Sequence, residues 1–420
     1  MLKRWLACVL SGLILVGCAD TGPKAPKEGR LSLDTYQRED VNMTSSSMRI
    51  GPLKKNEVWS SVYAYTTNNR PHVALPETVQ QKWRVSIGEG MSSNGVMQVA
   101  PVVVQDTIYT LDSHFVLQAT RLSDGQRLWR KELPVSDRSV VKSVGLTWDK
   151  GNLYLVSGDG QIVSLDGEGK LNWEQKTNMS LRTGPVVVGN RLFVTSLNND
   201  VVALDKRKGK MLWTVAGQGA ATTFLGMATP AVSEEMMIVP TTTGLVNAYT
   251  VDGGGLRWSE TMWHARTFSL IQDLPHVSAS PVIDGKNVYL IGNAGKMGAY
   301  RLVDGRVLWT KPIGGRTTPL VSGTALFLID NQNHLRALDT GNGHCYWDKK
   351  LSASDVVWQG PVIAGGKLIL TSSQGDIVWL DAISGEELRR DKIAPIGVAP
   401  VIVQDKMLVL TSDGNLYLYQ

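Results

Sequence analysis

The chain has 420 residues, of which 43% are hydrophobic and 19% charged, with a formal net charge of +5. This composition excludes a wholly disordered chain and a multi-span helical membrane protein, and it leaves ample apolar material for a core. The small basic surplus is spread along the chain, so no nucleic-acid partner is expected.

The chain begins MLKRWLACVLSGLILVGCAD. Lys3 and Arg4 precede an apolar stretch from Trp5 to Val16. That stretch is too short for a bilayer crossing, which takes about 20 residues. Residues 1–17 therefore read as a secretory leader. Its end, Leu15-Val16-Gly17-Cys18, resembles the lipobox of bacterial lipoproteins. The resemblance implies cleavage before Cys18 and a covalent lipid on its thiol. Ala19, where an aspartate would favour retention at the inner membrane, points to the outer membrane. Cys8 leaves with the leader and Cys18 is acylated, so Cys345 has no disulfide partner. A lone thiol in an oxidising compartment is expected to be packed away, not to act as a nucleophile.

Residues 18–75 are polar, charged and poor in strand patterns, and they read as a lipidated tether and partly disordered N-terminal segment. The aromatic stretch VWSSVYAYTTNNRPHVALPE near its end is expected to pack on the folded body. Residues 76–420 form that body.

Here one phrase recurs. Units that open on a Pro- or Gly-led apolar run end at Trp129, Trp173, Trp213, Trp258, Trp309 and Trp347. A seventh ends at Arg389, where the Trp is lost, and an eighth stops at Gln420. Each unit holds about four short strands, with alternation such as Val202 and Leu204, or Val288 and Leu290, on one side. A single such sheet has two apolar faces and cannot bury both. Radial stacking solves this, which predicts an all-β, eight-bladed β-propeller of four-stranded blades. The eighth unit lacks its outer strand, and Gln80–Gly88 carries Trp83 in the familiar place, so this N-terminal strand is expected to complete the last blade.

The phrases DGRVLW and KGKMLW now have a physical meaning. Their glycine supplies a left-handed turn before the outer strand. Asp205, Asp339 and Asp381 can accept backbone N–H groups in that turn. Each Trp is expected to pack between adjacent blades, burying on the order of 200 Å². That assigns the tryptophans to the fold and not to a ligand cage.

No catalytic or metal constellation stands out. His344 and Cys345 are adjacent, and on a strand their side chains point to opposite faces, so they cannot share one ion. The glycines at 253–255 fall in a strand connection, not before a helix, which argues against a phosphate loop.

The repeat resembles the PQQ-type propeller family, with its ALD-x-x-x-G-x-x-x-W pattern. That family includes calcium- and quinone-dependent alcohol dehydrogenases, which carry an adjacent Cys-Cys pair that this chain lacks. With the lipobox and the total length, the chain resembles more closely the BamB family of the outer-membrane β-barrel assembly machinery. This implies a non-catalytic scaffold without cofactor or metal, on the periplasmic face of the outer membrane. Its partners would be a BamA-like, POTRA-containing barrel, other assembly-complex subunits and unfolded outer-membrane proteins. The family's partner-binding loops correspond here to TTFLGMATP, with Phe224 and Leu225, and to LIQDLPHVSASP, with Asp273. The Arg of the first family motif is absent. Independently, the longest Trp-to-Trp spacing, Trp258 to Trp309, inserts a loop carrying Trp263 and Arg266, residue types suited to an interface. The alternatives are a PQQ-dependent dehydrogenase-like propeller and a glycan-binding envelope lipoprotein.

Overall fold

The computed structural model describes residues 48–90, 99–133, 143–219, 228–263, 276–352 and 355–420. They form eight antiparallel sheets, one per repeat, arranged as an eight-bladed β-propeller. Blade 1 runs Val102–Val104, Thr107–Leu111, Val116–Arg121 and Arg127–Glu132. Blades 2 to 7 begin at Ser143, Val186, Ala231, Val282, Leu320 and Trp358. Blade 8 joins Val401–Val403, Lys406–Leu410 and Asn415–Tyr419 to Gln81–Ser86. Gln80 and Gln420 exchange both backbone hydrogen bonds at 3.0 Å, so the two halves of blade 8 are stitched from opposite ends of the fold.

The alternation of each strand divides its side chains between two neighbours. In Asn287–Ile291 of blade 5, Val288 and Leu290 pack with blade 4, while Tyr289 and Ile291 pack with blade 6. In Val201–Asp205 of blade 3, Val202 and Leu204 face blade 2, while Val201 and Ala203 face blade 4. The core is therefore a ring of clusters, each shared by two blades, and the cluster of Ile108 with Leu408 closes it between blades 1 and 8. The fourth strands lie outermost and alternate between exposed and covered positions, as in Met211–Val215.

The recurring Trp sits at these joints. In blades 1, 2, 3, 5 and 6 it tilts against an aromatic ring of its own second strand, as Trp213 does on Phe193 with centroids 5.8 Å apart. The intervening third-strand residue is Ala203, whose small side chain leaves room for both rings. Outward, the Trp covers the turn of the next blade. Trp173 Nε1 donates to Lys206 O at 2.9 Å, and Trp258 Nε1 donates to Leu302 O at 2.9 Å. A Cβ added to Gly209, at φ 68°, would lie 2.5 Å from the Trp173 ring. The turn glycine is thus required twice, by its backbone and by the indole lying on it. Contacts of this kind run from Trp83 against Gly125 to Trp347 against Gly385. The turn aspartates behave as expected: Asp205 Oδ1 accepts from Arg207 N and Lys208 N, both at 2.9 Å.

Blade 7 explains the missing Trp. Its neighbour, blade 8, has no hairpin at this place, because its outer strand, Gln81–Ser86, precedes blade 1 in sequence while its partner, Asn415–Tyr419, follows blade 7. There is no turn glycine to cover. Arg389 takes the Trp position and donates to Val79 O at 3.3 Å. Its guanidinium lies 4.8 Å from the ring centroid of Trp379, which occupies the third-strand place held by Ala in blades 1, 3, 4, 5 and 6. The aromatic bulk has moved one strand inward.

These contacts generate a paired prediction. Gly189 also has positive φ, at 56°, but a Cβ there meets nothing within 4 Å. Gly189→Ala is expected to cost only the left-handed strain, about 1–2 kcal/mol. Gly209→Ala must also displace the Trp173 ring, adding about 1–3 kcal/mol. Urea unfolding of the two variants measures the difference, and equal losses would remove the indole from this account.

Candidate functional site

A propeller leaves its eight inner strands with unpaired edges around a central channel. In this chain residues 48–79 cover them. Arg49 O accepts from Thr324 N in blade 6 at 2.8 Å, and Asn56 O accepts from Gln404 N in blade 8 at 3.0 Å. Val58–Trp59 adds a short antiparallel strand to Val103–Val104 of blade 1. Ser60 O accepts from Trp148 N in blade 2 at 2.8 Å. Thr66 O and Thr67 O accept from Val232 N and Ile283 N, in blades 4 and 5, at 2.7 and 2.9 Å. Asn69 Oδ1 accepts from Val321 N of blade 6 at 3.3 Å, and Val73 bridges to Ala364 of blade 7. Among the described residues, blade 3 alone has an inner strand that receives no hydrogen bond from this segment. The part of the 18–75 span that the structure describes, residues 48–75, is therefore folded onto the blades.

Side chains from the segment fill the channel. The Tyr63 hydroxyl meets Thr318 Oγ1 at 2.9 Å and accepts from Ser280 Oγ at 3.0 Å. Arg70, 5% exposed, lies 4.6 Å from the Tyr63 ring centroid and donates to Pro361 O at 3.2 Å. Burial holds its guanidinium below the usual arginine range. Asn68 Nδ2 reaches both Thr229 O and Pro281 O at 3.0 Å. Beside these groups, toward blades 2 and 3, a cavity of about 410 Å³ remains, bounded by Tyr65, Thr66, Leu146, Arg182 and Val187.

Of the interface residues expected from the sequence, Phe224, Leu225, Arg266 and Asp273 lie outside the described residues, as does Cys18. Trp263 is placed at the start of its insertion, half-buried, with a backbone bridge to Gly295 of blade 5. It follows the fully buried Met262, which fixes where that loop leaves blade 4. The structure describes the roots of both loops, at Gly219 and Ala228 and at Trp263 and His276. What sequence reasoning missed is the sealing role of Tyr63, Asn68 and Arg70. The only signal was the aromatic cluster around Tyr63.

No group of three or more His, Cys, Asp or Glu side chains that could hold a metal ion occurs among the described residues. Cys345 is half-buried at the joint between blades 5 and 6, with its Sγ 3.3 Å from Trp347 O. Burial pushes its thiol up to about 11.

Two measurements follow from this geometry. Trp59 is 2% exposed, in the cluster joining blades 8 and 1. Trp59→Ala should cost about 3–5 kcal/mol in chemical unfolding. A loss below about 1 kcal/mol would mean that the segment only rests on the blades. The thiolate is the reactive form, so raising the thiol range lowers its population at pH 8. Cys345 in the native protein should alkylate about a hundredfold more slowly at pH 8 than an ordinary thiol. The rate should rise with pH toward 11, and mass spectrometry of the modified peptide reads it.

The family described as "Outer membrane protein assembly factor BamB" matches residues 116–349. A relative of that name from Yersinia pestis is 24% identical over 366 residues, covering 84% of this chain and 92% of the relative. Its namesake from Escherichia coli K12 is 24% identical over 358 residues, covering 83% and 90%. The crystal structure of BamB from Moraxella catarrhalis superposes with a TM-score of 0.69 at 16% identity, covering 82% of this chain and 100% of that one. Quinohemoprotein alcohol dehydrogenase from Comamonas testosteroni gives 0.67 at 13%, covering 93% and 82%. At these identities the superpositions establish the propeller fold alone. The family match spans more than half of the chain and falls within its repeats, so the chain belongs to the BamB family of outer membrane protein assembly factors.

Proposed function

We propose that this chain is a non-catalytic scaffold in the assembly of outer-membrane β-barrel proteins. It works from the periplasmic face of the outer membrane, held there by the lipid on Cys18. The family match carries the reading, and relatives named as outer membrane protein assembly factors support it over most of the chain. The occupied channel favours it over a dehydrogenase-like propeller. Tyr63, Asn68 and Arg70 hold the chain's own N-terminal segment against blades 4 to 7, in space that a propeller enzyme would leave for cofactor and substrate, leaving the cavity of about 410 Å³ beside blades 2 and 3.

The partner is a BamA-like barrel with POTRA domains, and other assembly-complex subunits join it. The binding surface is formed by the two loops carrying Phe224 and Leu225, and Trp263, Arg266 and Asp273. They follow the outer strands of blades 3 and 4, Met211–Val215 and Leu256–Thr261, each paired along its length with the third strand of its blade. Loops on a rigid frame bind with little ordering cost to the frame itself.

The test is affinity purification of the tagged, acylated chain from mildly solubilised membranes, with mass spectrometry of what accompanies it. A POTRA-containing barrel should be recovered in near-stoichiometric amount, and lost when Phe224, Leu225 and Asp273 are changed together to alanine. Absence of such a barrel, even after crosslinking in cells, would overturn the assembly role. Recovery that survives the triple change would move the interface elsewhere on the propeller.

A further inference from the structure

Blade 3 is the exception in the sealed channel. Its first strand, Val186–Val188, pairs with Arg191–Thr195 so that Val187 lies opposite Leu192. Three other blades use the same register, with Val232 opposite Met237, Ile283 opposite Val288, and Val321 opposite Leu326. In those blades the equivalent N–H points into the channel and donates to Thr66 O, Thr67 O or Asn69 Oδ1. By the same register the Val187 N–H points into the channel, and it meets no acceptor among the described residues. Val187 borders the cavity described above, so this N–H is available to a ligand seated there.

A second unmet group stands beside it. Arg182 borders the same cavity, and its Nε and Nη1 atoms are enclosed without an acceptor. Among the described residues the one carboxylate on the cavity wall, Asp149, is taken by Lys206 Nζ at 2.6 Å. Thr183 is likewise engaged, with its hydroxyl 2.8 Å from that of Thr195. Burial holds the Arg182 guanidinium below the usual arginine range.

A sheet edge that offers N–H groups recruits an extended backbone, and an enclosed guanidinium recruits a carboxylate. The cavity volume of about 410 Å³ is within the range of small-ligand sites. We propose that the inner edge of blade 3 binds a short extended peptide bearing a carboxylate. A peptide carbonyl accepts from Val187 N–H, and the carboxylate sits on Arg182. The charge of Arg182 selects an acidic or C-terminal group over a neutral one, and the N–H edge selects an extended backbone over a compact anion.

The test uses the full acylated chain in detergent and an acetylated valine-threonine tetrapeptide with a free C-terminal carboxylate. Calorimetry should give a dissociation constant of about 1 mM or tighter. The C-terminal amide of the same peptide should bind at least about tenfold more weakly, as should the Arg182→Gln variant with the acid. Arg182→Lys, which keeps the charge, should fall between. Hydrogen exchange at the Val187 amide should slow when the acid peptide is bound. No binding at about 10 mM would leave the cavity to water and overturn the proposal. So would equal affinity for acid and amide, a comparison made on the unaltered protein.

Discussion

The structure depends on one contact, the indole of one blade laid on the turn glycine of the next. A four-stranded antiparallel sheet of this length has two apolar faces and cannot exist alone in water. Each blade therefore needs two neighbours, and the period-2 strands are written for both at once: Tyr289 and Ile291 for one side, Val288 and Leu290 for the other. The Trp adds direction to this stacking. It belongs to one blade by its strand and to the next by its contact, as Trp173 does in reaching Gly209 and Lys206 O. A ring built from such one-way contacts has to close. It closes at blade 8, where two ends of the chain share a sheet and Arg389 replaces the indole that would have had no turn to cover.

Closure of the outer ring creates a problem at the inner one. Eight edge strands face a channel with unpaired backbone groups, a known route to unwanted strand addition. Residues 48–79 meet that problem locally, contributing carbonyls at Ser60, Thr66 and Thr67 where single N–H groups point inward. The segment is not a sheet strand in the usual sense, because successive partners belong to different blades. It ties together sheets that otherwise touch only their immediate neighbours, so its contacts oppose separation of non-adjacent blades.

The repeats are legible in the sequence because their determinants are local. An alternating run, an Asp and Gly turn and a Trp lie within one unit, and their spacing reports the blade directly. The N-terminal segment is legible only as a change in composition. Its partners Gln404, Trp148, Val232 and Ile283 are scattered over the chain, and polar residues such as Asn68 and Arg70 look like linker until their buried acceptors are seen. Arg389 shows the same limit. The loss of a Trp is plain in the sequence, but its cause is the absent hairpin of blade 8, a property of the closed ring. Among the residues expected at an interface, Trp263 is placed by its bridge to Gly295, while Phe224, Leu225, Arg266 and Asp273 fall outside the described residues.

A propeller superposes on assembly factors and on quinohemoprotein dehydrogenases with nearly the same score, so the fold cannot choose between a scaffold and an enzyme. The distinction lies in the use of the channel. An enzyme on this frame needs the axis open, since that is where residues from many blades converge. A scaffold needs the axis stiff, since its binding loops are spread around the rim. Tyr63 and the buried Arg70, whose guanidinium lies 4.6 Å from the Tyr63 ring centroid, fill part of that channel with the chain's own side chains. Both come from residues 48–79, the stretch that precedes the first blade, so one continuous segment contacts the inner strands of seven of the eight blades and ties the ring together from within.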